Sequence, residues 1–184
     1  MELERDIERV LWSAERIAAR VGEIGAAIAR DYAGARPLVV GVLSGSFPFI
    51  ADLVRAAPIP LEVDFIAVSS YGDGARSSGV VRILKDLNST VEDRDILLVE
   101  DIVDTGLTLR YLVDNLRTRR PRSIRVCALL DKTSARQLDV DIDYCGFECP
   151  DAFVVGYGLD YAGLYRNLPY VGVLKPDVVR GDAP

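Results

Sequence analysis

The sequence predicts an open α/β fold, a mostly parallel sheet flanked by helices, and three observations carry that prediction. Leu38–Leu43 (LVVGVL) and Ile96–Val99 (ILLV) are unbroken apolar runs, as expected of strands covered on both faces. Each run leads into a small-residue turn and then into residues with helical periodicity, the repeating unit of a parallel sheet. The chain has 184 residues, 49% of them hydrophobic, enough for one domain around a single sizeable core. We therefore expect one domain over residues 1–184, with a polar loop at about 70–80 and a frayed tail at about 176–184.

Residues 3–30 place Ile7, Val10, Leu11, Ala14, Ile17, Ala18, Val21, Ile24 and Ile28 opposite Glu4, Arg5, Glu8, Arg9, Glu15 and Arg16. That stripe predicts one long helix or two, with Gly22 and Gly25 as points where it bends or breaks. After the strand at Leu38–Leu43, the turn Ser44-Gly45-Ser46 opens a short helix over Phe47–Ala57. Leu61–Ser69, with Val63, Phe65, Ile66 and Val68, reads as the next strand. The polar stretch Ser70–Gly79 (SYGDGARSSG) connects it to a further strand at Val80–Leu84.

The strand at Ile96–Val99 meets two adjacent carboxylates, Glu100 and Asp101, then Ile102, Val103 and the small, hydrogen-bonding residues Asp104, Thr105, Gly106 and Thr108. A helix begins there, with Leu109, Leu112, Val113 and Leu116 on one face. Arg117, Arg119 and Arg120 suit its negative end, and Pro121 stops it. Ile124–Leu130 is another buried strand, followed by Lys132 and Arg136. Tyr170–Leu174 is the last strand.

Composition removes whole classes of mechanism. There is no histidine, hence no Ser-His-Asp triad, Cys-His nucleophile pair or imidazole metal ligand. Acid-base work falls to carboxylates, lysine, tyrosine or the substrate. Cys127 lies inside an apolar strand and reads as a small buried hydrophobe, while the spacing of Cys145 and Cys149 lacks the further ligands a zinc site needs. A net charge of -6 argues against a nucleic-acid surface, though local basic residues and a cation can still make a pocket for anions. No apolar run approaches the ~18 residues of a membrane span, and the charged start MELERDIERV is unlike a signal peptide, so the expected location is the cytoplasm.

The stretch Ile96–Thr108 (ILLVEDIVDTGLT) is where chemistry concentrates. Backbone amides of a tight turn at a helix N-terminus bind a phosphate group. A carboxylate pair beside that phosphate would repel it unless hydroxyls or a cation lie between. A sugar phosphate satisfies both halves, its phosphate in the turn and its vicinal hydroxyls, or a Mg²⁺ on them, at Glu100 and Asp101. Carboxyl ends of strands form the ligand crevice in open α/β sheets, so Lys132 and Arg136 face the same mouth as Glu100 and Asp104.

Two carboxylates, two hydrophobes and Asp-Thr-Gly-x-Thr closely resemble the phosphoribosyl diphosphate (PRPP) motif of the type I phosphoribosyltransferases, and Phe153–Tyr161 (FVVGYGLDY) resembles a second segment of their hypoxanthine-guanine branch. The resemblance spans about Val10–Lys175 and implies a sheet with a small hood built from N- and C-terminal segments. It implies transfer of the 5-phosphoribosyl group of PRPP to N9 of hypoxanthine or guanine, with release of pyrophosphate, Mg²⁺ as cofactor, and a homodimer or homotetramer. Residue by residue, it implies that Glu100, Asp101, Asp104, Thr105, Gly106, Leu107 and Thr108 hold the ribose phosphate, and that Ser44, Gly45, Arg136 and Arg166 hold the pyrophosphate. The purine falls to Ile102, Lys132, Phe153, Val154 and Asp160, with Phe153 stacking on the ring and Lys132 at its exocyclic oxygen. Glu100, Asp101 and Asp160 are the implied metal ligands, Asp104 the group that handles the purine proton, and Ser70 and Tyr71 the start of a lid. The family often has a cis peptide where Leu43 meets Ser44, and usually has lysine where this chain has Ser44, so that turn lacks one positive charge.

Two other classes fit part of the pattern. A regulatory protein of the same fold would bind PRPP or nucleotides without needing catalysis. A generic sugar-phosphate binder would share the acidic switch-point site but leave Phe153–Tyr161 unexplained.

Overall fold

The computed structural model describes residues 2–71 and 80–179, and its main sheet is built from the five strands expected between residues 38 and 130 together with one, Tyr144–Glu148, that the sequence did not announce. Strands β2 (Leu38–Leu43), β3 (Glu62–Tyr71), β4 (Val80–Lys85), β5 (Asp95–Val103), β6 (Ser123–Asp131) and β7 (Tyr144–Glu148) form a six-stranded sheet in the order β4-β3-β2-β5-β6-β7. Only β4 runs antiparallel to its neighbour. From β2 the chain passes to β3 on one side, and from β5 to β6 on the other. The crevice at the carboxyl ends of β2 and β5 is therefore the topological switch point, where such sheets bind ligands.

The sheet is covered on both faces because its central strands carry apolar runs whose side chains point to either side. Leu97 and Val99 point to a cluster with Ile17, Val21, Ile24 and Ile28 of helix α1 (Ala14–Asp31) and Phe49, Ile50 and Leu53 of helix α2 (Phe47–Ala56). Ile96 and Leu98 point the other way, to Leu109, Leu112, Val113 and Leu116 of helix α3 (Leu107–Arg117). Cys127 is fully buried in the first cluster, as its apolar strand predicted. None of the described helices is long and apolar enough to cross a membrane.

Three expectations need correction. The helical stripe of residues 3–30 is three structures: Glu2–Asp6 is a short 3-10 helix, Ile7–Trp12 is a strand, β1, and α1 starts only after Ser13, whose side chain caps it by accepting from the Arg16 amide. Pairing decides this, since β1 lies antiparallel to β9 (Val171–Leu174), which also pairs with β8 (Val154–Val155) to make a three-stranded hood. Gly22 and Gly25 do not break α1, and Gly25 is where α2 crosses: a Cβ there would lie 2.5 Å from the Ala56 carbonyl oxygen. The tail is not frayed from its start, because Pro176–Val179 forms a turn of helix, α4, anchored by the Tyr161 hydroxyl donating to the Val179 carbonyl at 3.1 Å. The proposed lid falls mostly on residues 72–79, outside the described residues; Ser70 and Tyr71 themselves end β3.

One buried carboxylate secures the edge of the sheet. Asp64 on β3 accepts from the amides of Phe65 at 2.7 Å, Asn88 at 2.7 Å and Ser89 at 2.8 Å, and so ties the loop after β4 to the core. Burial works against its charge, but the amides of Ser89, Phe65 and Asn88 outweigh it and hold the carboxyl below its usual value. A depressed folded pKa gives stability that is present above the unfolded value of about 3.9 and is lost as pH falls through the folded one. Asp64→Asn should lower unfolding free energy by ~1–3 kcal/mol at neutral pH. Urea denaturation should show the gap between the two proteins closing under acid.

Candidate active site

Two strand-to-helix turns face each other across the switch point. The first follows β2: the Leu43–Ser44 peptide is cis, as the resemblance implied, and buried Ser46 donates its hydroxyl to the Val42 carbonyl at 2.6 Å. The second follows β5, which runs on through Glu100 and Asp101 to Val103, so both carboxylates sit on the strand itself. Gly106 adopts φ +81° at the start of α3, and a Cβ there would come within 2.5 Å of the Leu138 carbonyl oxygen. The chain after β6 braces this turn from behind. Lys132 donates its amide to Val103 at 2.9 Å, and the amides of Gln137 and Leu138 both donate to the Thr105 carbonyl, at 3.0 and 3.1 Å.

A small cavity of about 90 Å³ lies over this turn, lined by Glu100, Ile102, Val103, Asp104, Thr105, Gly106, Thr108 and Leu109. The first amides of α3 have no helical carbonyl to bond and sit at the positive end of its dipole, which makes the cavity a receptor for a phosphate-sized anion. Beside it lies a larger pocket of about 260 Å³, lined by Asp101, Ile102, Asp104, Lys132, Ala152, Phe153, Val154, Leu159 and Asp160. Ile102 and Asp104 line both, so Asp104 stands where the contents of the two pockets would meet.

The larger pocket has the surfaces a flat heterocycle needs. Phe153 is 43% exposed and makes an edge-to-face contact with Tyr161, ring centroids 5.3 Å apart, which presents the ring to an incoming base. Lys132 is largely buried, held by the Asp151 carboxylate at 3.0 Å and the Ala152 carbonyl at 3.3 Å.

The acidic pair behaves differently from surface carboxylates. Burial, reinforced by the adjacent Asp101, pushes the Glu100 carboxyl well above its ordinary value, and its buried Oε2 has no hydrogen-bond partner among the described residues. Burial likewise raises Asp101 to about 6, against the pull of the Ile102 amide and Arg166. Asp101 also feels the charge of Asp160. A buried carboxylate oxygen without a partner, beside a second buried carboxylate, is what a divalent cation such as Mg²⁺ takes up, so Glu100 and Asp101 fit the implied metal. Among the described residues no three acidic or cysteine side chains converge into a complete cage, so substrate oxygens and water would fill out the coordination shell.

Gly45, Asp101 and Gly158 are packed to the limit. A Cβ on Gly45 would lie 1.6 Å from Asp101 Oδ2, and one on Gly158, where φ is +102°, would lie 2.0 Å from the Gly45 carbonyl oxygen. Arg166 donates to the Gly158 carbonyl at 2.6 Å and pairs with Asp160 at 2.6 Å, next to the Ser44–Gly45 turn. Arg136 lines neither pocket: its guanidinium pairs with Asp131, its buried Nε has no hydrogen-bond partner among the described residues, and a Cβ on Gly106 would lie 3.2 Å from its Cδ. Ala152 and Leu159 line the larger pocket and were not singled out in the sequence, where nothing distinguishes them from core residues.

A family profile for the phosphoribosyl transferase domain matches residues 11–162. The hypoxanthine-guanine phosphoribosyltransferase of Bacillus subtilis is 56% identical over 176 residues, 96% of this chain and 98% of that one. Among solved structures, a hypoxanthine phosphoribosyltransferase from Staphylococcus aureus superposes with a TM-score of 0.93 at 44% identity, covering 97% of each chain. A lysine-to-arginine mutant of the Trypanosoma cruzi hypoxanthine phosphoribosyltransferase, complexed with the product IMP, gives a TM-score of 0.90 at 43% identity, again over 97% of each chain.

Proposed function

The chain belongs to the phosphoribosyl transferase family, and from that premise we propose that it is a purine-salvage enzyme that moves the 5-phosphoribosyl group of PRPP onto N9 of hypoxanthine or guanine, forming IMP or GMP and pyrophosphate. The observation that carries this reading is the shared wall of the two pockets: a phosphate cavity and a base-sized slot meet at Ile102 and Asp104. Such an arrangement joins a sugar phosphate to a flat ring. The T. cruzi relative, which holds a purine nucleotide, has the same fold.

Each residue then has a task. The amides of Asp104–Thr108 receive the 5-phosphate. Glu100 and Asp101 face the ribose hydroxyls. Ser44, Gly45 and Arg166 hold the diphosphate, and Arg136 braces the phosphate turn beside it. Phe153 stacks on the purine opposite Ile102, the Val154 backbone reads its edge, and Lys132 donates to its exocyclic oxygen. A donor at that oxygen also selects against adenine, which offers an amino group there. Glu100 and Asp101 would hold a Mg²⁺ at the ribose hydroxyls and Asp160 a second one at the diphosphate, where the metal would supply charge neutralisation.

In the transfer, the N9 lone pair bonds to the anomeric carbon as the bond from that carbon to the diphosphate oxygen breaks, its electrons leaving with pyrophosphate. The proton displaced from the purine passes to Asp104, the carboxylate exposed between the two pockets. Positioning does much of the rest, because both reactants are fixed on rigid strand ends. We assign the protein to the cytoplasm and to a homodimer or homotetramer, with no nucleic-acid or membrane partner.

The test is pyrophosphate release from PRPP, with and without Mg²⁺, with hypoxanthine, guanine, xanthine and adenine offered separately. Release with the oxopurines and little with adenine is the expected result; none with any base would leave the regulatory reading standing. Lys132→Ala should raise KM for hypoxanthine about tenfold, the cost of one charge-assisted hydrogen bond, and leave KM for PRPP nearly unchanged. Steady-state kinetics with each substrate varied in turn separate the two.

A further inference from the structure

The segment Gly156–Asp160 reaches the pyrophosphate side of the crevice through a run of positive φ, at 98°, 48° and 102° for Gly156, Tyr157 and Gly158, a region that the two glycines enter freely and a tyrosine seldom does. Tyrosine is an unusual occupant of that region, so something must hold it there. Its ring is 8% exposed, and its hydroxyl donates to Asp52 Oδ2 on α2 at 2.5 Å. Helix α2 is the helix that the Ser44–Ser46 turn opens. The bond therefore joins the two chain segments that the sequence separates by more than a hundred residues, and Gly158 completes the joint by resting against the Gly45 carbonyl and Pro48. Gly158 also donates its amide to the Arg166 carbonyl at 3.0 Å and accepts from the Arg166 guanidinium at 2.6 Å.

We propose that Tyr157 and Asp52 form a positioning pair that sets the diphosphate subsite, by fixing the distance between the Gly45 turn on one side and Asp160 and Arg166 on the other. Neither residue touches substrate; they act through Gly45, Gly158 and Arg166. Asp52 also pairs with Arg55 through its other oxygen, which leaves Oδ2 to the tyrosine. Burial and the Asp52 charge push the phenol up, so the hydroxyl keeps its proton and remains the donor across the working pH range.

The inference presupposes the PRPP reaction proposed above, and the experiment separates the two. Tyr157→Phe removes one hydroxyl and keeps the buried ring; Asp52→Ala removes the acceptor. Each should raise KM for PRPP about tenfold, and weaken inhibition by pyrophosphate alike, with KM for hypoxanthine unchanged. The double variant should be no worse than the single ones, because the two deletions remove the same bond. Asp52→Asn, which keeps an acceptor oxygen, should recover most of the loss. A merely structural role would move both KM values together with the melting temperature, and that result, an unchanged PRPP KM in Tyr157→Phe, or additive effects in the double variant would each overturn the pair. Wild-type protein that releases no pyrophosphate would overturn the reaction and the inference together.

Discussion

Asp104→Ala is expected to lower kcat by about a hundredfold to ten-thousandfold, the range a positioned acid-base group supplies, while changing PRPP affinity little. The reason is its place. Asp104 precedes the phosphate turn, so its backbone belongs to the anion site, but its side chain is exposed at the wall common to both pockets. Removing the carboxylate leaves the amides of 104–108 and the Gly106 conformation in place, and with them the grip on the 5-phosphate. Transfer of the purine proton loses its acceptor. Asp104→Asn is the sharper companion, since it keeps size and hydrogen bonding but cannot take a proton; it should remain nearly as slow as the alanine variant. Single-turnover rates and PRPP binding measured on the same preparations check this, and equal losses in kcat and PRPP affinity would refute the assignment.

Legibility of the sequence followed the range of the forces involved. The unit from Ile96 to Leu116 was readable because everything that makes it is local: an apolar strand, a glycine in a left-handed turn, and one apolar helical face. The same holds for Leu38–Ala56. Residues 7–12 were misread because Ile7, Val10 and Leu11 suit a helical stripe, and their strand conformation comes from Val171–Leu174, at the far end of the chain. Arg136 shows the same limit on the site: its position past a strand is legible, but its pairing with Asp131 has no local signature. The pairing of Tyr157 with Asp52 likewise has no local signature.

The glycine at 45 is the other position where a single methyl group should be decisive. In Gly45→Ala the new Cβ would lie 1.6 Å from Asp101 Oδ2 and 2.6 Å from its Cγ, far inside contact distance, so one of the two must move. The turn cannot retreat, because the Gly45 carbonyl already rests against Gly158, where even a Cβ would not fit. Asp101 can give way only by leaving a crevice in which its Oδ1 accepts from the Ile102 amide at 3.0 Å, and burial already opposes its charge. Either displacement moves a ribose or diphosphate contact by the order of an ångström, which suffices to cost about a hundredfold in turnover. The accompanying strain is ~1–3 kcal/mol, within what a domain of this size tolerates, so the variant should fold. Activity should therefore collapse in a protein that still melts cooperatively, with KM for PRPP affected more than KM for hypoxanthine. A fully active Gly45→Ala would mean that the turn and the acidic pair do not touch, and that the pyrophosphate and ribose subsites are not coupled through this contact.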